Sequence, residues 1–556
     1  MIHWCNARNL LCRGLRASGV FAAVMLQAAA PALANPHPRP PPPIASNPPR
    51  PAVAPSGYAL EAAASLPAYR PREQVTGTIR LWGHGSPKHD FMGKLLEHWE
   101  EGFHRYQPRV RIVDDMYGSA SAVGALYTGA GDLAILGEEV SPAAAKAFER
   151  ERHYAPTILE IATGNVDVDY YDYAHMVFVN RANPLDRLTL PQLARILGDP
   201  PPGRDSGPIR TWGELGLTGA WADRKIQPYS WRFDQDFGLF LRARVLGGSD
   251  RFNPGVRTFV TYDRPDGTSD DRGEQILEAL AHDPDGIAVS NTRFANSSVR
   301  IVKLAATSSG PYVLPTVETL ISQKYPLTRI IPAVVDVPPG DPLDPAIREF
   351  LRFILSRDGQ RAVVEDSSYL PLGPRYVRAQ LRRLDELGRC RVAGGCPSGA
   401  RRGRPLTALQ AEELASSPGH PLDGVIRIWG NPGFQNVAQR WAERFRASHP
   451  QDRIALHTTG SDTGMAGLYT GEADIALLDR PATDSEMQAF EWVFRHPPTC
   501  TAIAARAIDV PTRTPHGRAL YIYIDSGPGA QPAAPAFLHY ILSQSGRSGH
   551  SCASTR

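Results

Sequence analysis

The 556-residue sequence predicts an α/β protein in which one structural unit is used twice. Three observations carry this. The stretch Gly118 to Leu136, GSASAVGALYTGAGDLAIL, returns without a gap as Gly460 to Leu478, GSDTGMAGLYTGEADIALL. Ser119 pairs with Ser461, Tyr127 with Tyr469 and Asp132 with Asp474, each 342 residues apart, so the architecture itself is copied. Each copy also reads as a strand (Val110 to Val113; Arg453 to Leu456), a Gly-Ser turn, a helix and a short apolar strand, LAIL or IALL, which is a parallel α/β unit.

The Gly-Ser turn places backbone N–H groups and a hydroxyl at a helix N-terminus, where an anion can sit. The plainer reading is that Ser119 caps its helix.

Length suggests two to four domains. A net charge of +3 gives no general nucleic-acid footprint. The N-terminus reads as an export signal over residues 1–34: Arg8, Arg13 and Arg16, an apolar run from Ala17 to Ala30, and a cleavage site at Ala32-Leu33-Ala34. That run is short for a membrane span and ends at prolines, and no other stretch could cross a bilayer. The expected location is periplasmic or secreted. Cys5 and Cys12 would leave with the signal, which leaves Cys390, Cys396, Cys500 and Cys552. An even count in an exported protein suggests disulfides. Cys390–Cys396 is the local pairing and Cys500–Cys552 would tie down the tail, with two other connectivities open. Zinc is a weak rival because no CxxC spacing occurs.

In chain order, residues 35–74 are rich in proline and then alanine and read as a spacer. Order is expected from Gly77, where TIRLWGHGS leads to a glycine turn. The next helix carries Phe91, Leu95, Leu96, Trp99 and Phe103 at helical spacing. Ser141-Pro142 starts another helix, and ILEIATG and HMVFVNRANP read as buried strands. Residues 375–422, rich in Arg, Gly, Pro and Ser, read as a connector. The second copy begins with VIRIWGN, echoing TIRLWGH, and its helix carries Val437, Trp441 and Phe445.

The segments VFVNRANPLDRLTLPQLARILG, TWGELGLTGAW, IQPYS, DPDGIAVSN, YPLTRIIPAVVDVP and REFLRFILSRDGQRAVVEDSSYLPL follow one another in an order that resembles the periplasmic phosphate-binding proteins of ABC importers. The resemblance covers about residues 77 to 374. It implies a two-lobed, type II periplasmic-binding-protein-like clamshell over residues 75–374. Lobe one would take residues 77 to about 165 plus the return from about 326, and lobe two about 174 to 320. Residues 423–556 match lobe one alone, with ALYIYI and AFLHYILSQSGR as the return segment and closing helix. They read as a single-lobe α/β repeat.

The resemblance also implies a ligand set. The first loop offers Gly85 and Ser86, and the second Ser119 with Ser121 nearby. The acidic position falls at Gly137-Glu138, so Glu138 stands for the family's aspartate. Lobe two should offer an arginine and then Ser-Gly-Thr at a helix start, yet this chain reads Arg232-Phe233-Asp234-Gln235-Asp236. Asp234 and Asp236 would oppose an anion: a unit-charge pair about 4 Å apart is worth roughly 4 kcal/mol at an effective dielectric near 20. In the second copy Ser461 and Asp479-Arg480 are kept, but the first loop, Gly430-Asn431-Pro432-Gly433, has lost the serine.

Neither the Asp167, Asp169, Asp172 run nor Asp283 and Asp285 has the pattern of a calcium loop. Ser86 beside His84 or His89 lacks a third member and an oxyanion hole, so catalysis is not expected. No cofactor and no metal are expected. The expected function is an exported solute-binding protein that captures a small oxyanion such as phosphate and presents it to an ABC permease or a sensor. The alternative is an interaction scaffold that has lost phosphate.

Overall fold

The computed structural model describes residues 56–551 except 85–90, 116, 167–173, 202–206, 234–235, 261, 264–268, 367–368, 388–424, 505–518, 528–529 and 545–549. The expected export signal, Gly85, Ser86, His89, Asp234, Cys390, Cys396 and Cys552 lie outside the described residues. Cys500 is disulfide-bonded.

The first helix, α1 (Gly57–Ala64), corrects the expected spacer. Its alanines are small enough to pack closely, and Ala59 and Ala63 are buried in a core cluster shared with lobe two. Leu66 then joins Leu355, Leu372 and Val377, and the Tyr69 hydroxyl donates to Glu349 at 2.6 Å. Residues expected to be a tether therefore belong to the packed front module.

Lobe one follows: β1 (Gly77–Gly83), α2 (Phe91–His104), β2 (Val110–Asp115), α3 (Ser119–Thr128), β3 (Leu133–Ile135), α4 (Pro142–Arg152) and β4 (Thr157–Gly164). The chain then builds lobe two with β5 (Met176–Asn180), β6 (Gln227–Trp231), α5 (Asp236–Arg244), β7 (Arg257–Phe259), α6 (Arg272–Ala281), β8 (Gly286–Ser290) and β9 (Val299–Ile301). It returns through β10 (Ile330–Val335), α7 (Pro345–Ile354), α8 (Arg357–Asp366), β11 (Tyr369–Leu370) and α9 (Pro374–Glu386). The lobe-one sheet has the order β11-β4-β10-β3-β1-β2, and the lobe-two sheet β9-β5-β8-β6-β7. The α/β class and the two-lobed architecture stand as expected.

Helix α9 is a second correction, because residues 374–386 were expected to lie largely in the connector. Val377, Gln380 and Leu384 are buried, and Asp385 pairs with Arg352 at 3.0 Å.

The rear module comprises β12 (Val425–Gly430), α10 (Gln435–Ser448), β13 (Arg453–His457), α11 (Ser461–Tyr469), β14 (Ile475–Leu478), α12 (Asp484–Phe494), β15 (Thr499–Ala504), β16 (Ala519–Ile524), α13 (Ala533–Gln544) and β17 (His550–Ser551). Its sheet order, β17-β15-β16-β14-β12-β13, is that of lobe one strand for strand. The senses agree as well: β12 is parallel to β13 and β14, and β16 is antiparallel to β14 and β15, as β1 and β10 are to their counterparts. Among the described residues the rear sheet has no companion sheet of the lobe-two kind.

One ion pair shows why the repeated block keeps its aspartate. Arg80 donates from its backbone N and Nε to Asp132 Oδ2 at 2.9 and 3.0 Å, and from a terminal nitrogen to Oδ1 at 2.6 Å. Arg427 makes the same three bonds to Asp474 at 2.7, 3.2 and 2.8 Å. Each aspartate ties β1 or β12 to the turn entering the next strand. Such bidentate charge-assisted bonds are stronger than neutral ones.

The two copies pack on each other through the repeated helices. One apolar cluster holds Val123, Leu126, Tyr127 and Phe148 of lobe one together with Met465, Leu468, Tyr469 and Phe490 of the rear module. The contacts are reciprocal: Gly118 lies against Trp492, and Gly460 lies against Arg150. Both glycines and both partners are 342 residues apart, so the interface has an approximate two-fold axis within one chain. Arg150 pairs with Asp462, while His457 and Thr459 bond Glu151 at 2.8 and 2.7 Å. Each fully buried side chain of this size contributes about 1.5–3 kcal/mol.

Candidate functional site

The cleft lies where α3, the turn after β3, the start of β10 and α5 meet. Helix α3 begins at Ser119 because Gly118, at φ 91°, takes a turn that L-residues rarely adopt. Ser119 does not cap the helix; its Oγ accepts from the Gly137 N–H at 3.0 Å and lies 3.2 Å from His84 Nδ1. Ser461 does the same in the rear copy, accepting from the Asp479 N–H at 3.2 Å and donating to Asp479 Oδ1 at 2.7 Å. The repeated serine therefore staples a helix start to the end of the neighbouring strand. Both expectations for it, cap and open ligand, overlooked this bond.

The other candidates divide. Ser121 is fully buried and donates to the Tyr117 and Gly118 carbonyls at 3.2 and 3.0 Å, so its hydroxyl serves its own helix. Glu138 reaches the cleft, with its carboxylate 4.0 Å from the Arg329 guanidinium. Arg232 is exposed, immediately after β6. Asp236 is the first residue of α5. The structure thus brings Ser119 and Glu138 to one wall of the cleft and the start of α5 to the other.

The centre of the cleft belongs to residues that the sequence reading did not select. Arg329, 1% exposed, precedes β10 and lies 3.4 Å from Glu139 as well as near Glu138. Glu139 also accepts from the Ile330 N–H at 2.6 Å, and Arg329 donates to the Gly137 carbonyl at 3.3 Å. Phe237 from α5 sits over this group, with the Arg329 guanidinium 5.1 Å and the Arg272 guanidinium 5.3 Å from its ring centre. Phe240 covers Arg329 at 5.8 Å. Cations held against aromatic faces in this way are stabilised by the ring quadrupole.

Beneath them His175 is fully buried among Trp231, Phe237 and Phe240, at 4.9, 5.1 and 4.8 Å, and neither ring nitrogen has a hydrogen-bond partner. Burial, and then the Arg329 and Arg272 charges, push its pKa well below the ordinary histidine value. It is therefore neutral at neutral pH. A signal for this floor existed in the sequence: four aromatics crowd the span Trp231, Phe233, Phe237 and Phe240.

Among the described residues, no group of three or more His, Cys, Asp or Glu side chains could hold a metal, and no helix is long and apolar enough to cross a membrane.

With this geometry established, the similarities fall into place. A PBP superfamily domain matches residues 415–508. Two phosphate-binding PstS proteins from Pseudomonas aeruginosa strains are each 28% identical over 321 residues, 58% of this chain and 91% of theirs. The superfamily match thus falls on the rear module, and the similarity to PstS proteins spans 58% of the chain. An ABC-type phosphate transport receptor from Vibrio cholerae matches 52% of this chain and 99% of its own, at 16% identity and a TM-score of 0.35. PstS from Borrelia burgdorferi matches 54% and 99%, at 17% identity and a TM-score of 0.36. The chain is thus similar to phosphate-binding proteins over 58% of its length, and the rear module, whose sheet repeats that of lobe one, carries the PBP superfamily match.

Proposed function

We propose that this protein is an extracytoplasmic binding scaffold whose interlobe cleft no longer takes free phosphate. The observation that carries this reading is Phe237. Its ring occupies the space beside the Arg329 and Arg272 guanidiniums, at the helix start where the phosphate-binding pattern has small and hydroxyl-bearing residues. Arg329 already neutralises part of the Glu138 and Glu139 charge. A phosphate dianion entering here would have to displace an aromatic side chain and compete with two carboxylates. Each unit-charge repulsion of that kind is worth roughly 4 kcal/mol near 4 Å at an effective dielectric of 20.

A second reading, capture of phosphate or a related oxyanion for an ABC permease or a sensor, is favoured by the PstS relatives and by Ser119 at the cleft wall. Calorimetric titration of the full mature chain with phosphate, sulfate and phosphonate separates the two. The scaffold reading predicts no binding heat and no rise in melting temperature at millimolar phosphate. A dissociation constant in the micromolar range or tighter would establish capture instead.

A further inference from the structure

The rear module closes off a space that neither lobe of the front module encloses by itself. A cavity of about 560 Å³ lies where lobe one, lobe two and the rear module meet. This is within the size range of small-molecule sites. Its walls are apolar over much of their area: Val123 of α3 and Leu136 after β3 on one side, Leu239 and Phe240 of α5 on another, and Tyr469 of the rear module facing them. A lone lobe has no opposing half to shut against. Here it forms the third wall of a chamber instead.

Most of the charges around the chamber are matched by carboxylates or guanidiniums, and Arg244, which also lines it, donates to the Pro326 carbonyl at 3.1 Å. Arg480 is paired with Glu486 at 2.7 Å, Asp462 with Arg150, Arg242 with Asp250, and Glu138 and Glu139 with Arg329. An ionic ligand would have to compete with these partners for its own contacts. An uncharged ligand breaks none of these pairs. Tyr127 and Tyr469 also line the space, and burial raises both phenol pKa values, so both remain neutral hydrogen-bonding groups.

We propose that this three-walled chamber is a binding site for an uncharged, largely apolar small molecule, created by the docking of the rear module. The chamber shares Ser119, Glu138, Glu139 and Phe240 with the interlobe cleft, so the proposal rests on the reading that this cleft does not take free phosphate.

The test uses the full chain and the neutral fluorescent amine N-phenyl-1-naphthylamine, alongside its anionic relative 1-anilinonaphthalene-8-sulfonate. Ala144→Trp fills the chamber from lobe one and Ser485→Trp from the rear module. Both positions line the chamber and are half-exposed, so the fold tolerates them, and circular dichroism checks this. The expected result is saturable one-to-one binding of the neutral probe in the micromolar range. It should weaken at least tenfold in each variant and persist in millimolar phosphate. Non-saturable uptake, preference for the sulfonate, or unchanged affinity in both folded variants overturns the proposal.

Discussion

Gly124 shows how one residue breaks the symmetry of the duplicated block. Its counterpart 342 residues on is Ala466, and the Tyr469 hydroxyl packs directly over Gly124. A β-carbon there would overlap that hydroxyl. Gly124→Ala removes a flexible residue from a helix interior, which in isolation stabilises by about 0.5–1 kcal/mol. In this chain we expect the reverse: overpacking costs typically about 1–3 kcal/mol. Chemical denaturation would measure it, and a stabilised variant would show that Tyr469 is not against α3. Glu100 gives a pH-dependent counterpart. Burial, then Asp114 and Glu97, raises its pKa to about 7. Its folded pKa lies above the unfolded value of about 4.3, so folding takes up a proton between the two. This stabilisation is present at low pH and is lost as pH rises through about 7. Glu100→Gln should therefore melt higher than the parent at pH 8 and match it at about pH 4, below the unfolded pKa. Equal shifts at both pH values would contradict the assignment.

At the scale of elements, periodicity and repetition made most of the fold legible. The spacing of Leu95, Leu96, Trp99 and Phe103 gives α2, and Ser141-Pro142 gives the start of α4, where Ser141 Oγ accepts from the Ala144 N–H at 3.1 Å. Two elements escaped notice because their reasons are tertiary. The alanine-rich α1 has little apolar pattern of its own and is held by what it touches. Helix α9 is rich in arginine and looks like a solvated linker until Arg348, Arg352 and Asp385 are seen to bind across it. The site was less legible than the fold. Motif matching locates loops, as it did for Ser119 and Glu138, but it is blind to a side chain such as Phe237 that arrives from another lobe. Helix α5 supplies a test. Phe237→Ala should destabilise the front module by about 3–5 kcal/mol, the usual cost of an emptied aromatic site. If Phe237 is what excludes anions, the folded variant should also gain phosphate affinity in calorimetry. A variant that loses stability without gaining affinity would assign the exclusion to Glu138 and Glu139.

For the whole molecule, the duplication explains both what is kept and what is lost. The rear copy keeps the sheet order, the Arg427–Asp474 pair and the Ser461 staple, because these hold a lobe together. Among the described residues it has no second lobe, and it buries a face of α3 against α11 and α12. Each front or rear element at the interface meets the counterpart of its own partner, as in a two-fold dimer tethered into one chain. Such an interface, with Tyr127, Phe148, Tyr469 and Phe490 in one core, should not need the tether to persist. The most direct measurement inserts a specific protease site after residue 400, cleaves the folded protein, and follows both fragments by size-exclusion chromatography at low micromolar concentration. The docked arrangement predicts co-elution at the size of the uncut chain, and separation of the additional variant Tyr469→Ala-Phe490→Ala. Fragments of the parent that part after cleavage would contradict it.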